Sequence, residues 1–287
     1  MHTDALVRWR KHSLVRALGG ALVYTVLALG AIAMVMPFAW MVSTSLKEAR
    51  GVFAYPPRWI PERFAWHNYV DAWRAAPFGR YFFNSVFVAA SVTLGQLISC
   101  SLAAYAFARL RFPGKALLFT LFLSTLMIPR QITLVPSFLV LKELNWLDTY
   151  YALIVPFVAS AFGTFMLRQT FMSIPRELED AAKLDGCSRL GFLWRIMLPL
   201  SRPTLASLAL FTFMGNWNSY LWPLIMTNSR HMRTIQIGLR FLVCQEGGTH
   251  WGMLMAATVV ASVPIIVFYL FVQRQFVEGI TFTGMRG

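Results

Sequence analysis

The chain has 287 residues, of which 57% are hydrophobic and only 13% charged, with a formal net charge of +14 and a mean hydropathy of +0.56. This composition excludes an ordinary soluble domain and predicts a polytopic, all-α membrane protein. The basic residues lie in short groups between apolar runs rather than along one face, a pattern that fits membrane topology and anionic lipid and excludes a nucleic-acid partner.

Arg8, Arg10, Lys11 and Arg16 precede an uncharged run from Leu18 to Met41. The run is too long for a signal peptide and lacks a clear cleavage site, so it reads as a retained first span with its N-terminus inside. A polar stretch from Ser43 to about Arg80 carries Pro56-Pro57 and several tryptophans and reads as an ordered loop at the membrane surface. The second span runs from Phe82 to about Ala108. Its Asn84, Ser85, Thr93, Gln96, Ser99 and Ser101 are expected to face other helices. A basic loop with Arg109, Arg111 and Lys115 follows.

The third span, Ala116 to Pro129, is near the lower limit of length for crossing. It is expected to end near Arg130, bent by Pro129 and Pro136, with a surface helix after it through Leu139 and Leu144. The fourth span runs from Tyr150 to Leu167, with Asn145 and Asp148 as capping candidates. The fifth runs from Pro203 to Met226 and the sixth from Trp251 to Val272. Six spans put both termini on one side. With the third span crossing, the inside segments hold about 15 Lys and Arg against about 10 outside, so both termini are expected in the cytoplasm. Cys100, Cys187 and Cys244 then fall in the bilayer, the cytoplasm and the outer side, which argues against a structural disulfide.

Between spans four and five lies the most ordered loop, Ser173–Pro203. Pro175 suits a helix start, and Glu177, Glu179 and Asp180 suit the positive end of its dipole. Gly186 suits its end, Ser188 caps a second short helix, and Pro199 closes that one. Short isolated helices are marginal in water, so this loop is expected to pack on a partner, with Leu178, Ala181, Ala182 and Leu184 as the apolar side. The chain has no GxxxxGK[ST], HExxH or GxSxG, its five histidines are scattered, and no metal-ligand spacing occurs. These absences argue against an enzyme. The lack of acidic residues within the spans argues against an ion-coupled carrier, which is the competing class.

Asp180-Ala181-Ala182, Gly186 and Ile196-x-Leu198-Pro199, at this spacing, resemble the EAA motif of ABC importer permeases, with Asp180 in place of the usual Glu. Thr44-Ser45-Leu46-Lys47, Pro56-Pro57, Asn68-Tyr69, Asn84-Ser85, Ala104-Tyr105-Ala106, Met127-Ile128-Pro129 and Trp217-Asn218 are similar to landmarks of the carbohydrate-importing branch. The nearest resemblance is to the second permease subunit of maltose-type and glycerol-phosphate-type importers. It implies a type I importer permease of six helices. Residues 1–81 hold the first span and external loop, 82–274 a five-helix core with the coupling loop 173–203, and 275–287 a cytoplasmic tail. The implied partners are a homologous permease, two ATPase subunits that hold the ATP and magnesium, an external solute-binding protein, membrane lipid and a sugar or related polyol as cargo. A glycerol-phosphate-like solute is the alternative cargo.

The coupling residues carried over are Glu179, Asp180, Ala181, Ala182, Asp185, Gly186, Ile196, Leu198 and Pro199. Gln96, Asn216, Trp217 and Asn218 have two readings, as path residues that touch sugar hydroxyls or as polar glue between helices. Arg130 either lines the path or reaches the outer interface. Gly279 and Gly284 either fold the tail against an ATPase or belong to a free terminus.

Overall fold

The computed structural model describes residues 2–243 and 248–283, with side chains described for 19–243 and 248–275, so Cys244 and Gly284 lie outside the described residues, and of Gly279 only the backbone is described. All regular structure in them is helical. The chain divides into two compact units, one of residues up to 72 with 249–259 and one of the remainder.

The first unit begins with α1 (His2–Ser45), whose apolar part Gly19–Ser45 is long enough to span a bilayer. The polar stretch after it is ordered, as expected, by α2 (Ala49–Val52) and α3 (His67–Ala75), the latter beginning in this unit. Two landmark segments meet here. Asn68 Nδ2 donates to Ser45 O and Lys47 O, both at 2.9 Å, and the hydroxyls of Ser45 and Tyr69 are 2.8 Å apart. Lys47 is buried with its ammonium 4.0 Å from the Trp40 ring centroid, and burial lowers its pKa from the ordinary lysine value.

The second unit is organised around α4 (Phe78–Arg109). Tyr81, Ser85, Val88, Val92, Gln96, Cys100 and Ala104 recur at helical spacing and are buried. After α4 come α5 (Lys115–Ser124), a 3-10 turn to Met127, and α6 (Arg130–Glu143), bent from α5 by 101°. Pro129 stands at the bend, whereas Pro136 sits inside α6 without ending it. Asn145 and Asp148 do not cap the fourth span. Both have positive φ, Thr149 takes the N-cap position, and Asp148 Oδ1 instead accepts from Asn228 N, Ser229 N and Ser229 Oγ at 3.0 to 3.1 Å.

The fourth span is broken into α7 (Tyr150–Ile154), a 3-10 turn Val155–Phe157, and α8 (Ala161–Ser173), capped by Ser160 Oγ accepting from Gly163 N at 3.2 Å. Pro156 has no N–H to give to Ala152 O, which accepts from Trp222 Nε1 at 3.0 Å instead, and the break that follows frees further carbonyls that need other donors in a membrane segment. Helix α4 supplies them. Gln96 Nε2 donates to Phe157 O at 2.8 Å, Ser99 Oγ to Val158 O, and Cys100 Sγ to Ser160 O at 3.4 Å. Asn84 likewise donates to His231 O and Arg233 O, and Ser85 Oγ accepts from Ile235 N. Thr93 and Ser101 bond back to their own helix, so not every polar residue of this span joins it to a neighbour.

The charged loop holds α9 (Arg176–Leu184), α10 (Arg189–Phe192), a π-helical turn Leu193–Met197 and α11 (Leu198–Leu200). The expected single fifth span divides. It ends as α12 (Arg202–Trp217) and resumes as α13 (Leu221–Met226). Pro223 explains the break, because its ring would clash with the carbonyl of Ser219 in a continuous helix. Then follow α14 (Ile235–Val243) and α15 (Trp251–Thr283), which is helical through Pro264. Helices α4, α8 and α12 form the packed centre. Gly163 allows the close approach, since a Cβ there would lie 2.8 Å from Leu208 Cδ1 and 3.0 Å from Cys100 Sγ. Among the described residues four helices qualify as spans by length and composition, and the number is six if each of two bent pairs counts as one span.

Candidate functional site

The chemistry-bearing residues gather in two places in the second unit, a helical bracket built from the charged loop and a polar cavity. An apolar cluster made by Cys100, Ala104, Leu167, Phe171, Ile174, Ala182, Phe192, Leu193, Met197 and Leu208 lies under the bracket. A second cluster, with Val88, Val92, Leu141, Ala152, Leu153 and Met226, uses earlier residues of α4. Gln96 stands between the two along that helix.

Helix α9 is closed by a Schellman motif. Cys187 N donates to Ala182 O at 2.8 Å and Gly186 N to Lys183 O at 3.0 Å, with Gly186 at φ 76°. An L-residue pays about 1–2 kcal/mol for that left-handed backbone, which is why glycine suits the position. The second helix begins as expected, with Ser188 Oγ accepting from Gly191 N at 3.1 Å. Pro199 does not close it directly, because a π-turn intervenes and the helical run continues to Leu200.

The bracket has distinct inner and outer sides. Leu178, Ala181 and Leu184 are exposed, Leu184 at 90%, and so are Asp180, Asp185 and Gly186. Ala182 departs from the expected outer face. It is buried in the bundle's own cluster, and Ile196 and Leu198 also pack on that cluster. Pro199 is half-buried. Glu179 points inward as well, 3.7 Å from Arg109 Nη1 and 3.1 Å from Lys183 Nζ. Hydrogen bonds that the Lys183 ammonium donates to Glu179 and, next in weight, to Asp180 hold it above the ordinary lysine range.

Arg109 is the residue that reading the sequence missed. Its side chain is only 4% exposed, and Nη2 donates to Phe171 O at 2.8 Å and Ile174 O at 2.6 Å, closing the C-terminal end of α8 while facing Glu179. The sequence shows an arginine in a basic loop more than sixty residues away, with no local sign of its partners. Beside it, Thr170 and Thr204 hydroxyls meet at 2.9 Å and tie α8 to α12 on either side of the bracket.

The cavity, of about 680 Å³, is walled by Gln96, Arg130, Phe157, Thr212, Asn216 and Tyr220, among others. Gln96 Oε1 accepts from Thr212 Oγ1 at 2.8 Å, and Asn216 Nδ2 donates to Thr212 O at 2.8 Å. Thr212 stands four residues before Asn216, so helical spacing alone could have paired the two. Gln96 is thus both a brace for the broken fourth span and part of the wall. Trp217, which could have been a path residue, is not in the wall. It is 1% exposed, stacks on Phe213 and donates Nε1 to Ala261 O at 3.1 Å. Asn218 is exposed outside the wall and accepts from Gln236 at 3.5 Å. Arg130 lies in the wall, its guanidinium 5.8 Å from the Phe157 ring centroid.

Comparison with known proteins agrees with this architecture. The sn-glycerol-3-phosphate transport system permease protein UgpE of Yersinia enterocolitica is 38% identical over 265 residues, which cover 90% of this chain and 94% of that protein. Its counterpart in Escherichia coli O157:H7 is 37% identical over 266 residues, with the same coverage. Among solved structures, a bacterial ABC transporter involved in import of the acidic polysaccharide alginate superposes with a TM-score of 0.80 at 22% identity, over 90% of this chain and 96% of that one. The alginate transporter in complex with its alginate pentasaccharide-bound periplasmic protein gives 0.62 at 19%, over 88% and 92%. These two likenesses speak for the fold. Residues 95–281, which include both the bracket and the cavity wall, match the family profile, and the chain therefore belongs to the binding-protein-dependent transport system inner membrane components.

Proposed function

We propose that the chain is one of two homologous permease subunits of an ATP-driven importer, and that α9 docks in a groove on a partner ATPase. The bracket carries this reading. An outward face of Leu178, Ala181 and Leu184, flanked by Asp180 and Asp185, is presented by a helix whose inner side is fixed to the bundle through Glu179, Ala182 and Arg109. A helix held this way passes a push on its outer face to α4, α8 and α12. The push shifts the permease between conformations only if the ATPase binds the bracket differently in its two nucleotide states. ATP and magnesium belong to the ATPases in this scheme. A periplasmic solute-binding protein delivers the cargo, and both termini of the chain face the cytoplasm.

The cargo in this reading is a small polyhydroxylated solute, a sugar or related polyol. The amide and hydroxyl groups of Gln96, Thr212, Asn216 and Tyr220 in the wall suit hydroxyl-rich cargo. The names of the two relatives compared above favour a glycerol-phosphate-like solute within that class.

The test is reconstitution with the ATPase, permease and binding-protein partners in proteoliposomes. Asp180→Lys and Gly186→Pro are each expected to leave insertion intact, as both sites are exposed, and to lower solute moved per ATP hydrolysed at least several-fold. Uptake and ATPase ratios equal to wild type in both variants refute the docking role.

A further inference from the structure

Resting on the importer reading, the geometry points to a charge filter: Arg130 makes this subunit's cavity selective for cargo that carries an oxyanion, a phosphate or carboxylate, on a polyhydroxylated body. Among the described residues, Arg130 is the one charged side chain in the cavity wall, and no carboxylate shares that wall with it. The Phe157 ring lies 5.8 Å away, and among the described residues no hydrogen bond or ion pair occupies the guanidinium N–H groups. An aromatic face steadies a guanidinium without neutralising it. Arg130 is exposed on the cavity side, and a guanidinium so presented forms strong, charge-assisted hydrogen bonds with an oxyanion that arrives with the cargo.

The backbone adds to the same sign. The 101° bend after α5 makes Arg130 the first residue of α6, and Pro129 before it offers no side-chain cap. The first-turn amides and the positive end of a 14-residue helix therefore stand beside the guanidinium. Gln131, Thr133 and Ser137 continue the wall along α6. The remaining polar groups are neutral and already oriented, since Gln96 and Thr212 bond to each other and Asn216 bonds to its own helix. The cavity thus has one cationic pole and one hydroxyl-binding pole. A neutral sugar would satisfy only the second.

The experiment uses the whole complex in proteoliposomes with internal ATP, and radiolabelled sn-glycerol-3-phosphate and maltose as probes. The wild type is expected to take up the phosphate ester in preference to maltose. Arg130→Gln is expected to reduce uptake of the phosphate ester at least tenfold at saturating binding protein, with assembly unchanged by co-purification, and Arg130→Lys to restore a third or more of it. A merely structural arginine would not be rescued by lysine over glutamine. Arg130→Gln uptake within twofold of wild type, or a wild type that carries maltose and not the phosphate ester, overturns the charge filter while leaving the importer reading standing. Absence of ATP-dependent uptake of either probe overturns the importer reading itself.

Discussion

Replacing Arg109 with leucine tests how the bracket is held. Two hydrogen bonds from a buried cation to the carbonyls of Phe171 and Ile174, at 2.8 and 2.6 Å, are lost together. Hydrogen bonds to charged groups contribute about 1.5–3 kcal/mol each. Some of that is recovered because Arg109 Nε is itself buried without a partner and leucine no longer has to bury it. Glu179 is not orphaned, since Lys183 stays 3.1 Å away. The net loss is then about 3 kcal/mol, which corresponds to roughly a hundredfold increase in local opening at 1.4 kcal/mol per decade. Hydrogen exchange followed by mass spectrometry in nanodiscs reads this directly. Peptides covering 174–187 should exchange about a hundredfold faster while α4 and α12 keep their protection. Glu179→Gln, which removes only the longer 3.7 Å contact to Arg109, should change the same peptides by less than tenfold. Protection within threefold of wild type in Arg109→Leu would show that the apolar cluster alone fixes the bracket.

Gly163→Ala should lower the melting temperature of the solubilised protein. The new methyl would sit 2.8 Å from Leu208 Cδ1, an overpacking cost of about 1–3 kcal/mol that exceeds the roughly 1 kcal/mol gain in helix propensity; an unchanged or raised melting temperature refutes the packing argument. In a Cys244→Ser background, membrane-impermeant maleimide should reach half-buried Cys187 only from the cytoplasmic face and leave buried Cys100 unlabelled. Labelling of Cys187 from outside reverses the orientation.

Much of the fold was legible because apolar length and proline position are local signals. The bend at Pro129 and the start of a new helix after it, the glycine end of α9 and the Ser188 cap are each decided within a few residues of sequence. The breaks in spans four and five were signalled too, by Pro156 and Pro223, but a scan for apolar length passes over them. What could not be read is pairing at a distance. Gln96 is a generic polar residue in its own segment and becomes a brace only because α8 begins anew opposite it. Trp217-Asn218 looked like part of a polar ring, yet helical rotation turns Trp217 into the core and leaves Asn216 on the cavity. Ala182 lies on the inner side of α9 for the same reason, one position from exposed Ala181.

The π-turn at Leu193–Met197 has a mechanical consequence. A π-turn accommodates one residue more than an α-turn, and one residue corresponds to about 100° of rotation. The slack sits where the loop rejoins α12, whose Thr212 and Asn216 reach the cavity, and both ends of the turn are anchored by buried side chains. Taking up or releasing that surplus residue would turn α11 about its own axis, and the 82° bend between the segments 189–200 and 202–217 would convert that turn into a sideways swing of α12.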